Sequence, residues 1–141
     1  RFKLQKNILN RPPYSPMINM AGKNSNMDFY INTTKGVEKH TIDELPIKKW
    51  FNVILSVNNN VMYIYINYQL LKTIPLKSNI TIPTNNILYL SDKNMGANGY
   101  MLNLIYWNKH LNNDDIKSIP RPTETQLNKY LTDKKYQKCD N

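Results

Sequence analysis

The sequence predicts an all-β domain, a sandwich of two antiparallel sheets that ends in one or two short C-terminal helices. Apolar and polar residues alternate with a period of two in segments such as 51–57, a pattern typical of a strand with one buried face. Turn-forming residues separate such segments at intervals of about ten residues, as in sandwiches and barrels. Helical character is confined to residues 111–119 and 123–131, near the end of the chain.

The strands follow from this alternation and from a high content of β-branched and aromatic residues. In chain order they are predicted at residues 17–20, 27–32, 38–42, 51–57, 61–67, 69–74, 87–91 and 100–107. The run of Asn58, Asn59 and Asn60 predicts a tight hairpin turn, because asparagine tolerates positive φ. The positions predicted to be largely buried are Phe51, Val53, Leu55, Ile64, Ile66, Leu88, Leu90, Leu102 and Leu104.

The first predicted helix, 111–119, has clear end signals. Asn112 or Asn113 can cap its N-terminus, and the acidic pair that follows suits the positive end of a helix. Pro120 ends it. Beyond the second predicted helix, residues 132–141 form a polar, lysine-rich tail.

Length and composition set the broad class. A chain of 141 residues, 40% of them hydrophobic, can fold around one core. Cys139 is the single cysteine, so no internal disulfide or paired-cysteine redox site can form. No apolar run approaches the roughly 18 residues that cross a bilayer, so no transmembrane segment is predicted. The net charge of +9 favours acidic partners, which include nucleic acid, anionic glycans and lipid headgroups.

The acidic residues do not form a hydrolytic pair. Retaining glycan hydrolysis needs two carboxylates roughly 5 Å apart, which a strand supplies at alternate positions. Asp43 and Glu44 are adjacent and would point to opposite faces. Asp114 and Asp115 fit helix capping. The sequence therefore predicts a non-enzymatic protein with no catalytic residues and no cofactor.

Aromatic side chains outside the strands are the candidate binding residues. Tyr68 lies at a turn, where little core is available to bury it. In the C-terminal segment, tyrosines interleave with lysines in a pattern that binds anionic chains or docks on an acidic neighbour, with a solvated tail as the alternative. Strand aromatics, Trp107 among them, are assigned mostly to the core, with a platform for a sugar ring as the alternative. The predicted binding residues are Tyr68, Tyr130, Lys134, Lys135, Tyr136 and Lys138.

Four segments in order carry a family resemblance. They are LPIKKWFNVILSVNNNVMYIYIN (45–67), QLLKTIPL (69–76), NILYLS (86–91) and NGYMLNLIYWNKHLNNDDIKSI (98–119). Over residues 16–120 the chain resembles the laminin G-like branch of the concanavalin A-like lectin and glucanase superfamily. The resemblance implies a jelly-roll sandwich, which that family uses mostly to recognise carbohydrate or protein and in some branches to hydrolyse glycans. Domains that look like this also occur in structural proteins of large DNA viruses.

Some laminin G-like domains bind calcium through a loop aspartate and backbone carbonyls, so the resemblance implies Asp92 as a candidate calcium ligand. Asn94 and Asn98 lie near it in the sequence and carry side-chain oxygens. A plain flexible turn is the alternative, and a single carboxylate with Lys93 beside it favours the turn.

Two departures from the family pattern matter. Tyr68 stands where the family turn usually has glycine, so either the turn is of another type or a contact holds Tyr68 there. Residues 1–15 are expected to be an N-terminal extension or a remnant of missing strands, which would leave the edge of 17–20 unpaired. A neighbouring chain, or the basic segments 1–11 and 129–138, would then cover that edge.

These features together predict a sandwich at residues 16–120 followed by a basic tail at 121–141. The expected function is that of a non-enzymatic recognition or structural module in a larger assembly, with other protein chains as partners and a virion as the implied location. A glycan-binding, lectin-like domain is the first alternative, and a degenerate glucanase is the second. Nucleic acid is the least favoured partner.

Overall fold

The computed structural model describes residues 5–12, 14–21, 25–46, 49–82, 84, 87–90 and 99–132. These residues form two antiparallel sheets followed by two short helices, so the predicted all-β class is confirmed. The chain divides into two compact units. Among the described residues, the first unit holds those up to 46 and those from 76 to 90, and the second holds 49–75 and 99–132.

The bounds of the elements are as follows. The strands are β1 (Gln5–Asn10), β2 (Met17–Ala21), β3 (Met27–Thr33), β4 (Gly36–Ile42), β5 (Val53–Asn58), β6 (Val61–Ile66), β7 (Gln69–Pro75) and β8 (Tyr89–Leu90). The helices are α1 (Asn113–Ser118) and α2 (Glu124–Thr132). Neither described helix has the length and apolar character that crossing a membrane requires.

The first unit contains a five-stranded sheet in the order β4-β3-β2-β1-β8. Because β1 pairs with β2 along its length, the prediction of an unpaired edge at 17–20 is wrong. β1 lies within residues 1–11, one of the segments that the sequence suggested would pair with this edge. A bulge between Asn7 and Leu9 interrupts the regular alternation of β1, which is why periodicity did not predict this strand.

The two faces of this sheet differ in chemistry. One face buries four apolar side chains of β3 and β4: Met27, Phe29, Ile31 and Ile42. The opposite face carries a row of polar cross-strand neighbours: Asn7, Asn19, Asp28 and Thr41. Asp28 is buried, and its carboxylate accepts a hydrogen bond from Thr41 at 2.7 Å and pairs with Lys39 at 2.9 Å. The hydrogen bond from Lys39 to Asp28 also holds the pKa of Lys39 above its usual value.

The second unit contains a three-stranded sheet in the order β5-β6-β7. β5 and β6 meet at the predicted asparagine turn, where Asn59 has a φ of 51°. β6 and β7 meet at Asn67 and Tyr68, whose φ values of 50° and 66° are typical of a type I′ hairpin turn. Such a φ strains a bulky residue, so the surrounding structure must hold Tyr68 in place.

A buried cluster of the second unit lies on the face of β5 opposite to the predicted one. It joins two strand residues to two residues from outside the sheet: Ile54, Tyr65, Leu111 and Ile116. Three predicted core positions on the alternate face are only half-buried: Phe51, Val53 and Leu55. Because Leu111 and Ile116 pack on Ile54 and Tyr65, β5 itself is more deeply buried on the face of Ile54, although Met62 and Ile64 of β6 are fully buried on the predicted face.

The remaining core predictions have mixed outcomes. Ile64 is fully buried, which confirms the prediction for β6. Ile66 and Leu102 are half-buried. Leu88 and Leu90 are exposed, contrary to prediction, because β8 is a two-residue edge strand that replaces the longer strand predicted at 87–91.

The predicted strand at 100–107 is also wrong. This segment is irregular, and Asn103 has a φ of 55°, which an extended strand does not allow. Within the described ranges no strand is hydrogen-bonded to it. Leu104, a predicted core residue, is accordingly exposed, and apolar alternation without a ladder partner did not produce a strand.

Candidate recognition site

A hollow of about 310 Å³ lies in the second unit, beside α1. Most of its lining is apolar: Ile105, Trp107, Leu111, Ile119 and Pro120. Its polar lining residues are Lys109, Asp115 and Ser118. Trp107 and Ile119 pack half-buried against the cluster that contains Ile54 and Tyr65. The hollow is therefore built directly on the core of this unit.

Polar contacts with β5 hold the segment that carries Trp107. The Ser56 hydroxyl oxygen accepts a hydrogen bond from the backbone N–H of Leu111 at 3.0 Å. The same oxygen lies 2.9 Å from Nδ1 of His110, whose ring centroid is 5.4 Å from that of Tyr63. Because Leu111 is buried, its N–H would have no partner without Ser56. These contacts fix one wall of the hollow.

Ser56 and His110 are the residue types of a nucleophile and its base, but their geometry is that of an anchor. Ser56 is buried, and its oxygen already accepts the N–H of Leu111. When its proton is donated to Nδ1 of His110, the serine bridges β5 and the segment before α1. An attacking hydroxyl must instead be open to a substrate.

The other wall is α1, whose N-terminus is fixed by a capping box. Oδ1 of Asn112 accepts the backbone N–H groups of Asp114 and Asp115, both at 2.9 Å. Asp115 in turn accepts the N–H of Asn112 at 3.0 Å and pairs with Lys109 at 2.7 Å. The hydrogen bond from Lys109, and then that from the Asn112 backbone, hold the pKa of Asp115 below its usual value of 3.8.

Tyr68 lies next to this hollow. Its hydroxyl donates to the carbonyl oxygen of Pro120 at 3.4 Å, and its side chain packs against the buried cluster. The guanidinium carbon of Arg121 is 4.6 Å from the centre of the Tyr68 ring, within cation–π distance. These contacts hold the tyrosine at its positive φ. Of the two explanations that the sequence left open for Tyr68, the contact is the one observed.

The other predicted site residues are not placed by the structure. Tyr130 lies in α2, and its side chain is outside the described residues. Five further candidates lie wholly outside the described residues: Lys134, Lys135, Tyr136, Lys138 and the calcium candidate Asp92. In the described part of the chain, no three His, Cys, Asp or Glu side chains gather as they would around a metal ion.

Sequence reasoning missed Trp107 and the Ser56–His110 pair as parts of the site. Trp107 was assigned to the core of a strand that does not form. Ser56 and His110 are 54 positions apart, so no local spacing links them. The one available signal was Ser56 itself, a polar residue in the apolar strand VILSVN.

Neither the protein-family models nor the curated proteins compared with the chain give a match. Among solved structures, the chain is similar to residues 221–444 of an S-layer domain-containing protein from Clostridium thermocellum. The sequence identity is 15% and the TM-score is 0.43. The match covers 84% of this chain and 64% of that chain.

Proposed function

We propose that this domain is a non-enzymatic recognition module of a larger assembly, and that it binds a protein partner through the Trp107 hollow. The observation that carries the proposal is a hollow of about 310 Å³ with a mainly apolar lining built on a packed core. Pockets of this kind take one aromatic or aliphatic side chain, which then dominates the binding energy of a protein interface.

The polar rim favours a protein anchor over a sugar. A saccharide needs several free, directional hydrogen-bonding groups. Lys109 and Asp115 already bond to each other at 2.7 Å, and the Ser118 hydroxyl donates to the Asp115 carbonyl at 2.7 Å. An apolar side chain can fill the hollow and leave these bonds intact, which avoids the cost of buried polar groups without partners.

The lectin-like alternative retains one supporting observation. The half-buried ring of Trp107 offers an aromatic surface of the kind on which a sugar ring can stack. The glucanase alternative has less support, because Asp114 and Asp115, the acidic residues at this end of α1, belong to its capped first turn.

A peptide library tests the proposal directly. Heptapeptides displayed on phage are selected on the full chain, and a glycan array is probed in parallel. We expect the selected peptides to share an aromatic or aliphatic residue. Trp107→Ala should weaken their binding at least about tenfold, as removal of a central anchor does. Tyr106→Ala is the matched control, since Tyr106 is exposed and does not line the hollow, and it should leave binding within about twofold.

Each other outcome is also decisive. A library without enrichment, or equal binding by Trp107→Ala and the unmodified chain, contradicts the proposal. A defined sugar preference that Trp107→Ala abolishes establishes the lectin-like alternative. Turnover of a β-glucan would exclude both non-enzymatic functions.

A further inference from the structure

Arg121 adds a positive charge beside the Trp107 hollow. It directly follows Pro120, a lining residue, so the two Cα atoms are about 3.8 Å apart. Its guanidinium stands over the ring of Tyr68 at 4.6 Å. The backbone of Arg121 therefore lies beside the hollow, and the side chain is held by its contact with the Tyr68 ring.

The neighbouring lysines have acidic partners, whereas Arg121 has none among the residues that the structure describes. Lys109 pairs with Asp115 at 2.7 Å, and Lys117 lies 3.8 Å from Asp114. Among the described residues no carboxylate pairs with Arg121, which is exposed. The exposed guanidinium therefore has N–H donors available to a ligand, and their fork matches the two oxygens of a carboxylate.

The charge of the whole unit favours the same kind of partner. Its described residues include six lysines and arginines but only three aspartates and glutamates. The full chain carries a net charge of +9. This positive charge would attract an acidic segment over a distance set by the ionic strength. The segment could then pair with the guanidinium of Arg121.

We propose that the Trp107 hollow and Arg121 form a two-point site for a polypeptide that carries a carboxylate next to an aromatic or aliphatic side chain. The apolar side chain fills the hollow, and the carboxylate pairs with Arg121. This inference rests on the proposed function and specifies the chemistry of its partner. Tyr68 is a positioning residue, because its ring holds the guanidinium in place, and this role accounts for a tyrosine at a turn that glycine would occupy without strain.

Two small molecules test the carboxylate directly. N-acetyltryptophan has an indole ring and a carboxylate, and N-acetyltryptophanamide has the same ring without the charge. Each is titrated into the full, isotope-labelled chain, and NMR shifts are followed at the Trp107 indole N–H and the Arg121 side chain. We expect the acid to bind about fivefold more tightly than the amide, the upper end for an exposed ion pair, with the difference shrinking as salt is added.

Variants test the contributions of the hollow and of Arg121 separately. Arg121→Glu should abolish the advantage of the acid and leave the affinity for the amide unchanged. Lys49→Glu makes the same change of charge at an exposed residue of this unit that does not line the hollow, so the advantage should persist. Tyr68→Phe keeps the ring and should keep the advantage. Tyr68→Leu should reduce it, and the readout is the ratio of the two affinities, because Tyr68 also packs against the cluster beneath the hollow.

Equal binding of acid and amide by the unmodified chain overturns the inference and leaves the proposed function standing, because the hollow still holds the ring. Loss of the advantage in both Arg121→Glu and Lys49→Glu also overturns it, since the effect is then one of net charge alone. If neither molecule binds, the inference is wrong, and the peptide library decides the proposed function separately.

Discussion

The two units of this chain build their buried parts in different ways. In the first unit the largest fully buried side chains, Met27 and Phe29, lie in a strand. The second unit also buries two strand residues fully, Met62 and Ile64, but on the other face of its sheet half of the buried cluster comes from outside the sheet, since Leu111 precedes α1 and Ile116 lies in it. Local alternation therefore encodes much of the first core and one face of the second sheet, whereas the other face of the second sheet depends on residues that are remote in sequence.

In the second unit the irregular segment before α1 is held by side-chain hydrogen bonds in place of strand pairing. A segment without a ladder needs other partners for its buried backbone groups. Ser56 supplies one for the buried N–H of Leu111, and Asn112 caps the exposed N–H groups in the first turn of α1. We therefore expect the path of this irregular segment to be sensitive to truncation of the polar side chains that hold it, whereas the strand core of the first unit is sensitive to apolar truncation.

The largest effect is expected in the strand core of the first unit. Phe29→Ala should lower the free energy of unfolding by about 3–5 kcal/mol, because it leaves a cavity at a side chain that is 1% exposed. Urea denaturation measures this. Val37→Ala, at an exposed position of β4, is the control and should cost less than about 1 kcal/mol. Equal losses would show that the buried residues of β3 are not the centre of this core.

The second prediction tests which face of β5 is buried. Ile54→Ala should cost about 2–5 kcal/mol, because Ile54 packs in the cluster with Leu111 and Ile116. Leu55→Ala should cost less, since Leu55 is only half-buried. The two variants remove side chains of the same size from adjacent positions, and denaturant titration compares them. A larger loss for Leu55→Ala would restore the face that alternation predicted.

The third prediction concerns the anchor of the irregular segment. Ser56→Ala should cost about 1–3 kcal/mol, because it leaves the buried N–H of Leu111 without an acceptor. Ser118→Ala is the control, since its hydroxyl bonds an exposed carbonyl of the same helix, and it should cost less than about 1 kcal/mol. Amide hydrogen exchange should show faster exchange at Leu111 in Ser56→Ala. Unchanged exchange there would mean that Ser56 does not hold the segment.

A smaller effect is expected at the cap of α1. Asn112→Ala should cost about 1 kcal/mol, the usual loss for an N-cap residue. Asn113→Ala removes the same side chain from the next position, where no cap contact is made, and should be close to neutral. Thermal unfolding of the two variants measures the difference. If both variants lose the same stability, the cap is not what orders this helix.

The sequence was informative where one local signal decided the structure. The hairpin of β5 and β6 follows from the asparagine run around Asn59, and α1 follows from Asn112 ahead of acidic residues. The buried face of β5 was not predictable in this way, since apolar residues occupy both Ile54 and Leu55 and a remote segment selects between them. The irregular path of residues 100–107 likewise depends on strand pairing, which alternation does not report.

The candidate site likewise contains residues that a local sequence signal marks and residues that no local signal marks. Tyr68 was predicted because a bulky aromatic residue at a turn is a local anomaly. Trp107 was assigned to the core, because the hollow that it lines depends on the position of α1, which alternation does not report. Arg121 was not singled out, because its importance comes from the ring of Tyr68, which is distant in sequence.

The smallest effect is expected from the ion pair at the edge of the hollow. The folded state lowers the pKa of Asp115 below 3.8, chiefly through the hydrogen bond from Lys109, so Asp115 stabilises the fold above that pH. This contribution is lost as the pH falls below 3.8 through the pKa of Asp115 in the folded state, and carboxyl NMR titration measures the shift directly.

Lys109→Met should move the pKa of Asp115 back toward 3.8 and flatten the acid limb of the stability curve. Lys117→Met, which removes an equally charged side chain facing Asp114, should leave Asp115 unchanged. A shift of equal size in both variants would assign the effect to the general field of the unit, which salt screens, and not to the short contact of Lys109 with Asp115.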